Sequence, residues 1–381
     1  MTEITSQRPT WAEIDLDNLA FNFRSAKEFM GDQLKYMAVV KADAYGHGAV
    51  ECARRLEAEG VDWFGVALPE EGVELRRAGI RKLILCLGGF WDDQESVVLN
   101  FGLTPVIFQI EKAAVLNDAA ARRGTDVSIH VKVDTGMGRV GVRFDAVREF
   151  ASRLRELTHL RLEGVMTHFA AADDLGQNQF TDLQIERFNT AVATFREYGF
   201  APAYLDLANS PGAVAHPDAR SNLVRLGGIL YGLGGDVLPS GIDKPDLKPV
   251  MSLRTRIALV KAVPAGETIG YGRTFTTQSD SVIATIPIGY QDGFSRALSN
   301  VGHAIVRGTR VPVAGRISMD WTMLDVTGVA GVSTGDEVIL IGESDGSRID
   351  AEDLARATST ISYEITCGIN RRVPRVYRSE R

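Results

Sequence analysis

The chain has 381 residues, 45% apolar and 24% charged, with a formal net charge of −7. That length suits two or three domains, or one large barrel with a smaller partner, and the composition is that of an ordinary globular protein with a substantial core. Basic residues are scattered rather than clustered, which argues against a nucleic-acid partner, and no apolar run approaches the length of a membrane span.

Met1–Pro9 is polar and lacks the apolar stretch of a signal peptide. Cys52, Cys86 and Cys367 are odd in number, far apart and not at metal-ligand spacing. They read as reduced, mostly core residues of a cytoplasmic protein without a metal site. The pairs Arg54-Arg55, Arg76-Arg77, Arg122-Arg123 and Arg371-Arg372 read as solvated faces.

Thr10–Leu16 alternates in polarity and predicts a strand that could belong to either domain; Asp17–Met30 has the helical period. Short apolar runs then recur at Tyr36–Ala42, Trp63–Ala67, Leu83–Leu87, Thr104–Phe108, Ser128–Asp134, Leu162–Phe169, Tyr204–Asn209 and Asn222–Tyr231. Helical patterns separate most of them, at Ala49–Glu59, Glu70–Ala78, Glu111–Arg123, Asp145–Glu156 and Gln177–Tyr198. This strand–helix rhythm, over roughly 200 residues, predicts an α/β fold with a parallel (β/α)8 barrel of the TIM type. An open doubly wound sheet is the alternative. Lys41, Asp134, His168, Asn209-Ser210 and Gly227-Gly228 all fall at or just past strand ends. A barrel gathers such ends on one face, whereas an open sheet spreads them along an edge, so the barrel is preferred.

Asp236–Pro249 is rich in Pro, Gly and Asp and reads as a linker. Beyond it the segments are short and alternating: Leu253–Val260, Ser281–Ile288, His303–Val306, Val311–Val313, Met323–Val326 and Glu337–Ile341, with one helix at Asp350–Thr358. The expected division is a barrel domain at 10–240 and a mainly β domain at 249–381, with residues 10–16 free to pair with the second.

Chemistry starts at Tyr36-Met-Ala-Val-Val-Lys41, followed by Gly46 and Gly48. An ammonium at an apolar strand end is costly to desolvate, so its pKa falls and the free amine becomes available for Schiff-base chemistry, most often with pyridoxal phosphate (PLP). The bland alternative is a lysine snorkelling to water. His168 ends an apolar run and reads as a core histidine or a site residue. Arg225, within an apolar strand, requires acceptors or an anionic neighbour, as a structural ion pair or as part of a site. Asn209-Ser210 and Gly227-Gly228, after the last two strands, supply a hydroxyl and open backbone N–H groups where barrels commonly bind phosphate. Arg139, in a tight polar turn, is a candidate clamp for a carboxylate. Lys132 precedes it in a strand and reads as an outward-facing or ion-paired lysine. Tyr271, between two glycines, and the segments Ile286–Gly293 and Gly315–Asp320 are unremarkable alone.

Taken together, Val39-Val-Lys-Ala-Asp-Ala-Tyr-Gly-His-Gly48 resembles the PLP-attachment signature of alanine racemases. Asp134–Arg139, Thr167-His168-Phe169, Asn209-Ser210, Arg225–Gly232, Gly270-Tyr-Gly272, Pro287–Gly293, Gly315–Asp320 and Ser362-Tyr-Glu364 follow in that family's order, over nearly the whole chain. The resemblance implies that Lys41 carries PLP and works one face of the substrate α-carbon. Tyr271 of a partner subunit would work the other, within a homodimer that shares its sites. It also implies phosphate contacts from Tyr45, Asn209, Ser210, Gly227, Gly228 and Tyr363, and places Arg225 at the pyridine nitrogen and His168 beside the ring. Arg139 and the backbone N–H of Met319 resemble the contacts to the substrate carboxylate, Tyr290 and Tyr363 an entrance gate, and Lys132 a lysine often carbamylated.

Two bases on opposite faces are what racemisation requires. An arginine at the pyridine nitrogen should keep that nitrogen unprotonated, weakening the ring as an electron sink and limiting transamination. Asp43 stands where the family often has asparagine, Gly228 where an aliphatic residue is usual, and Ser318 where cysteine is common. The expected activity is interconversion of L- and D-alanine for peptidoglycan precursors. The rivals are a serine or broader racemase, a barrel-type PLP decarboxylase and a non-catalytic PLP carrier.

Overall fold

The computed structural model describes residues 8–379, so most of the polar stretch Met1–Pro9 lies outside the described residues. Parallel strands close into a barrel in the order Thr104–Ile107, Leu83–Cys86, Trp63–Val66, Lys35–Val39, Leu223–Leu226, Tyr204–Asp206, Leu160–Met166 and Val127–Asp134, the last pairing back to the first. The expected closed barrel is the observed one.

Strand parity sorts the side chains. Tyr36, Ala38 and Val40 join the main core beneath the helices, whereas Met37 packs with Trp63, Leu85, Val106, Met166 and Leu223 in an interior plug. Ile129, Val131, Val133, Val224 and Leu226 likewise face outward to the main core. The alternation of a strand therefore turns His130, Lys132 and Arg225 to the interior. Asp206, two residues beyond the plug-packed Tyr204, faces the same way.

The helices carry ordinary signals. Asp15 caps Leu16–Met30 by accepting from the Asn18 N–H, and Leu16, Leu19, Phe23, Ala26 and Met30 form its buried stripe. Gly102 and Gly124, both left-handed, end Glu95–Phe101 and Ile110–Arg123. Glu95–Phe101, Ser210–Ala215 and Ser362–Gly368 were not anticipated, being too short for a period to emerge. Asn222–Tyr231 is a strand only to Leu226, and Gly228–Tyr231 is a tight 3-10 turn. The run Leu253–Val260 divides into strands Met251–Arg256 and Leu259–Val263.

Thr10–Asp15 lies between Met251–Arg256 and Arg375–Arg378, in the sheet that also holds Glu337–Ser344 and His303–Val306. The first strand of the chain thus sits with the C-terminal sheet. Arg76 departs from the solvated reading: it is half-buried and donates to the carbonyls of Ile80, Lys82, Phe101 and Gly102. Cys52 and Cys86 are buried and Cys367 is exposed. Among the described residues, no helix is long and apolar enough to cross a membrane, and no group of three or more His, Cys, Asp or Glu could hold a metal.

Candidate active site

The strand expected to reach Ala42 stops at Val39, because the backbone then reverses its hand. Ala42, Asp43, Ala44 and Tyr45 have φ of 52°, 55°, 53° and 54°, a left-handed turn that costs about 1–2 kcal/mol per residue. Hydrogen bonds offset that cost. The Ala42 N–H donates to Glu71 Oε1 at 2.7 Å, the Gly48 N–H to the Asp43 carbonyl at 2.8 Å, and the Ala49 N–H to Asp43 Oδ1 at 2.8 Å. His47 Nδ1 lies 2.9 Å from the Ala44 carbonyl, and Arg375 donates to the Gly46 carbonyl at 2.9 Å. Gly46 is obligatory, since φ is 85° and a Cβ would run into the Thr366 carbonyl. This turn aims Lys41 at the barrel mouth. Burial lowers its pKa, and Arg139 and Arg225 lower it further.

The expected phosphate ligands converge beside it. The Gly227 N–H donates to Ser210 Oγ at 2.8 Å. A Cβ on Gly227 would stand 2.8 Å from Tyr45 Oη, and one on Gly228 2.5 Å from Tyr363 Oη. The Tyr45 and Tyr363 rings lie 5.3 Å apart, and burial pushes both phenols up, so each remains a neutral donor. Two glycines thus keep a space open that hydroxyls and N–H groups surround, which fits a phosphate. The Asn209 side chain is occupied differently: its Oδ1 accepts from the Gly212 N–H at 3.1 Å and caps Ser210–Ala215.

Arg225 is 3% exposed and has the acceptors and the anionic neighbour that an arginine in an apolar strand requires. It forms a buried ion pair with Asp206, through Nη1 to Oδ1, and also donates to the Asp206 carbonyl at 3.2 Å. Its Nη2 donates to the Thr167 carbonyl at 3.0 Å and lies 3.3 Å from His168 Nδ1. Burial, with Arg225 next in importance, drives the His168 pKa down to about 2. His168 is therefore neutral, accepting at Nδ1 and carrying its proton on Nε2. Lys132, 5% exposed, does not face outward: it lies in the interior, where burial and then Arg225 and Arg139 bring it down to about 8. Arg139 is exposed at the end of a loop whose N–H groups at Gly136 and Gly138 donate to Asp134. It makes no hydrogen bond or ion pair among the described residues.

A second group of expected residues lies on another surface of the same chain. Tyr271, Met319 and Tyr290 are 72%, 50% and 40% exposed. Their loops interlock: the Tyr290 N–H donates to the Ser318 carbonyl at 3.0 Å, the Gln291 N–H to the Met319 carbonyl at 3.1 Å, and a Cβ on Gly270 would stand 3.3 Å from the Arg316 nitrogen. No hydrogen bond, ion pair or ring contact among the described residues joins Tyr271 to Lys41 or His168. Tyr363, by contrast, reaches the barrel mouth within its own chain.

Sequence reasoning missed Asp206, the partner of Arg225, and Glu71, which holds the Lys41 turn. An acid inside the apolar run Tyr204–Asn209 was the available signal for Asp206. A cavity of about 260 Å3 lies apart from these residues, lined by His47, Tyr231, Glu13, Arg254 and Asp350 among others.

The chain matches the family "Alanine racemase, N-terminal domain" over residues 14–234 and "Alanine racemase, C-terminal domain" over residues 250–377. It is 48% identical over 375 residues to the alanine racemase of Geobacter sulfurreducens, covering 97% of each chain. The alanine racemase structure from Clostridium difficile 630 superposes with a TM-score of 0.91 at 39% identity, over 98% of this chain and 97% of that one. The structure of alanine racemase from Bartonella henselae with covalently bound pyridoxal phosphate gives a TM-score of 0.86 at 28% identity, over 97% of this chain and all of that one.

Proposed function

The chain belongs to the alanine racemase family, and from that premise we propose that it interconverts L- and D-alanine by passing the α-proton between Lys41 and the Tyr271 of a second subunit. One observation carries the reading: a half-buried amine of lowered pKa stands at the mouth of a barrel whose adjoining wall is shaped to hold a phosphate. PLP fits this site. Ser210, Gly227, Gly228, Tyr45 and Tyr363 would hold its phosphate and Lys41 its aldehyde end. When bound, the group would supply the electron sink that acidifies a substrate α-hydrogen.

Arg225 dictates the state of the ring. A guanidinium has five N–H bonds. The four on Nη1 and Nη2 are directed at Asp206, Thr167, Leu207 and His168, leaving Nε–H as the spare donor. A donor facing the pyridine nitrogen favours the form that can accept, and a second proton there is repelled by the guanidinium. The ring therefore remains unprotonated.

Lys41 holds or releases a proton on one face. Tyr271 does so on the other, which makes the homodimer the catalytic unit. Its exposure in the single chain, together with that of Met319 and Tyr290, supports this arrangement: an apolar, loop-borne face is left for a partner. Arg139 and the backbone N–H of Met319 receive the substrate carboxylate. Tyr290 and Tyr363 narrow the entrance to small side chains. Lys132, neutral in part near pH 8, is placed to take up CO2 as a carbamate, whose charge would orient Arg139. D-Alanine for peptidoglycan precursors is the product in demand, and the cytoplasm, where the unpaired Cys367 stays reduced, is the working compartment. Similarity over both domains leaves the decarboxylase and carrier readings without support.

The test is incubation with L-alanine in deuterated water, following α-hydrogen exchange and the appearance of the D-isomer. Racemisation with deuterium at the α-carbon is expected. Neither exchange nor D-alanine from the PLP-loaded protein would refute the reading.

A further inference from the structure

The interior layer above the Met37–Trp63 plug holds more charge than a two-base reaction calls for. Asp206 is fully buried at the end of a three-residue strand, with Oδ1 on Arg225 and Oδ2 without a hydrogen-bond partner. Ionising a carboxyl there is unfavourable in itself, and Arg225 and Lys132 are the charged neighbours that oppose this penalty. A salt bridge serving stability alone is better replaced by apolar packing, as beneath it in Leu223 and Met37. The pair instead sits where, on the reading above, Arg225 would face the cofactor ring.

We propose that Asp206 is a positioning residue for Arg225: it clamps the Nη1 end of the guanidinium so that Nε–H alone is left for the pyridine nitrogen, and its negative charge balances the guanidinium at the barrel mouth. This rests on the PLP reading above. The clamp is geometric. With Oδ1 and the carbonyl of the same residue both accepting from Nη1, and the Thr167 carbonyl accepting from Nη2, the guanidinium plane is pinned from two strands. Without Oδ1, Nη1 keeps only the 3.2 Å bond to the Asp206 carbonyl, and the plane, held mainly at Nη2, can pivot about that end. The balance is a matter of count. Arg139 and Arg225 press on Lys41 against Glu71 and Cys367, and Arg225 and Lys132 press on Asp206. Asp206 is the anion that balances Arg225, so its removal leaves the mouth one unit more positive.

Two substitutions separate these roles. Asp206→Asn retains an acceptor for Nη1 but no charge; Asp206→Ala retains neither. Apo protein is titrated with PLP by fluorescence quenching, and the visible absorbance of the loaded protein is followed against pH. We expect Asp206→Ala to weaken PLP binding at least tenfold. Asp206→Asn should bind within about threefold of wild type yet lower the pH midpoint of the bound chromophore by about one unit, a tenfold change in proton affinity, as loss of the anion that balances Arg225 requires. Both variants binding PLP within twofold of wild type, or an Asp206→Asn midpoint that stays put or rises, would overturn the proposal. If Asp206→Ala does not fold, the Asp206→Asn midpoint decides alone. Wild-type protein that fails to bind PLP sinks the functional reading as well, whereas normal wild-type binding with indifferent variants sinks only the role of Asp206.

Discussion

Gly228 and Tyr363 approach so closely that a Cβ on the glycine would stand 2.5 Å from the phenolic oxygen of the tyrosine. The glycine is there for this approach and not for its dihedral angles, since its φ is not in the left-handed region. Gly228→Ala must push the ring away from the phosphate space. We expect PLP affinity to fall by about tenfold with a thermal midpoint within a few degrees of wild type, the volume added being one methyl. Unchanged PLP affinity on titration of the apo variant would show that Tyr363 does not hold the phosphate.

Separation of Tyr271 from Lys41 within one chain leads to a complementation test. Lys41→Ala and Tyr271→Phe are each expected to be nearly inactive. Mixed and allowed to exchange subunits, half of the dimers become hybrids, each with one intact site, so about a quarter of wild-type activity should return. A mixture no more active than its components would refute the shared site.

Lys132 links pH, CO2 and stability. Its folded-state pKa of about 8 lies below the 10.5 of the unfolded chain. The unfolded chain therefore binds the proton more tightly, and stability rises with pH between about 8 and 10.5; below 8 the buried cation costs about 3 kcal/mol. Carbamylation, in which the neutral amine adds CO2 and releases a proton, removes that cost. Protein equilibrated with 13C-bicarbonate should show a carbamate carbon that Lys132→Gln lacks, and should unfold at higher urea than in CO2-free buffer. A spectrum without that signal would leave Lys132 as a plain buried amine.

Three histidines that the fold holds neutral predict acid sensitivity. Burial lowers His47 to about 4, His130 to about 3 and His168 to about 2, all below the usual 6.5. The fold holds each neutral, so the unfolded state gains protons first, and stability falls as pH drops from 6.5 toward those values. Each contributes about 1.4 kcal/mol per pH unit. Both His130 nitrogens lack a hydrogen-bond partner, and its ring lies 5.2 Å from Trp63. His130→Leu should flatten the slope of unfolding free energy between pH 6 and 4 by about that amount, read from urea midpoints. An unaltered slope would mean that His130 titrates normally.

How far the chain could be read depended on how long each signal ran. The barrel strands and the long helices announced themselves because several turns or alternations repeat the same pattern. Lys41 and the Ser210–Gly228 cradle were legible because a charged or glycine-rich residue interrupts an apolar run. Asp206 was not, since a three-residue strand is too short to display its parity. The left-handed turn after Lys41 was hidden because Ala-Asp-Ala-Tyr contains no glycine to signal it. Lys132 was misread for a related reason: its inward face follows from closure of the barrel, which its own neighbours do not express. The place proposed for Tyr271, opposite Lys41 of a second chain, is one that no pattern within a single sequence encodes.

Thr10–Asp15 pairs in parallel with Arg375–Arg378, and Arg375 reaches over to the Gly46 carbonyl while Thr366 closes on Gly46. The lysine-bearing turn is thus braced by residues more than three hundred positions further along the chain. A nascent chain can wind most of the barrel but cannot complete the pocket. A product clipped before Ser362 would keep the barrel strands yet lose Thr366 and Arg375, the two residues that close on Gly46.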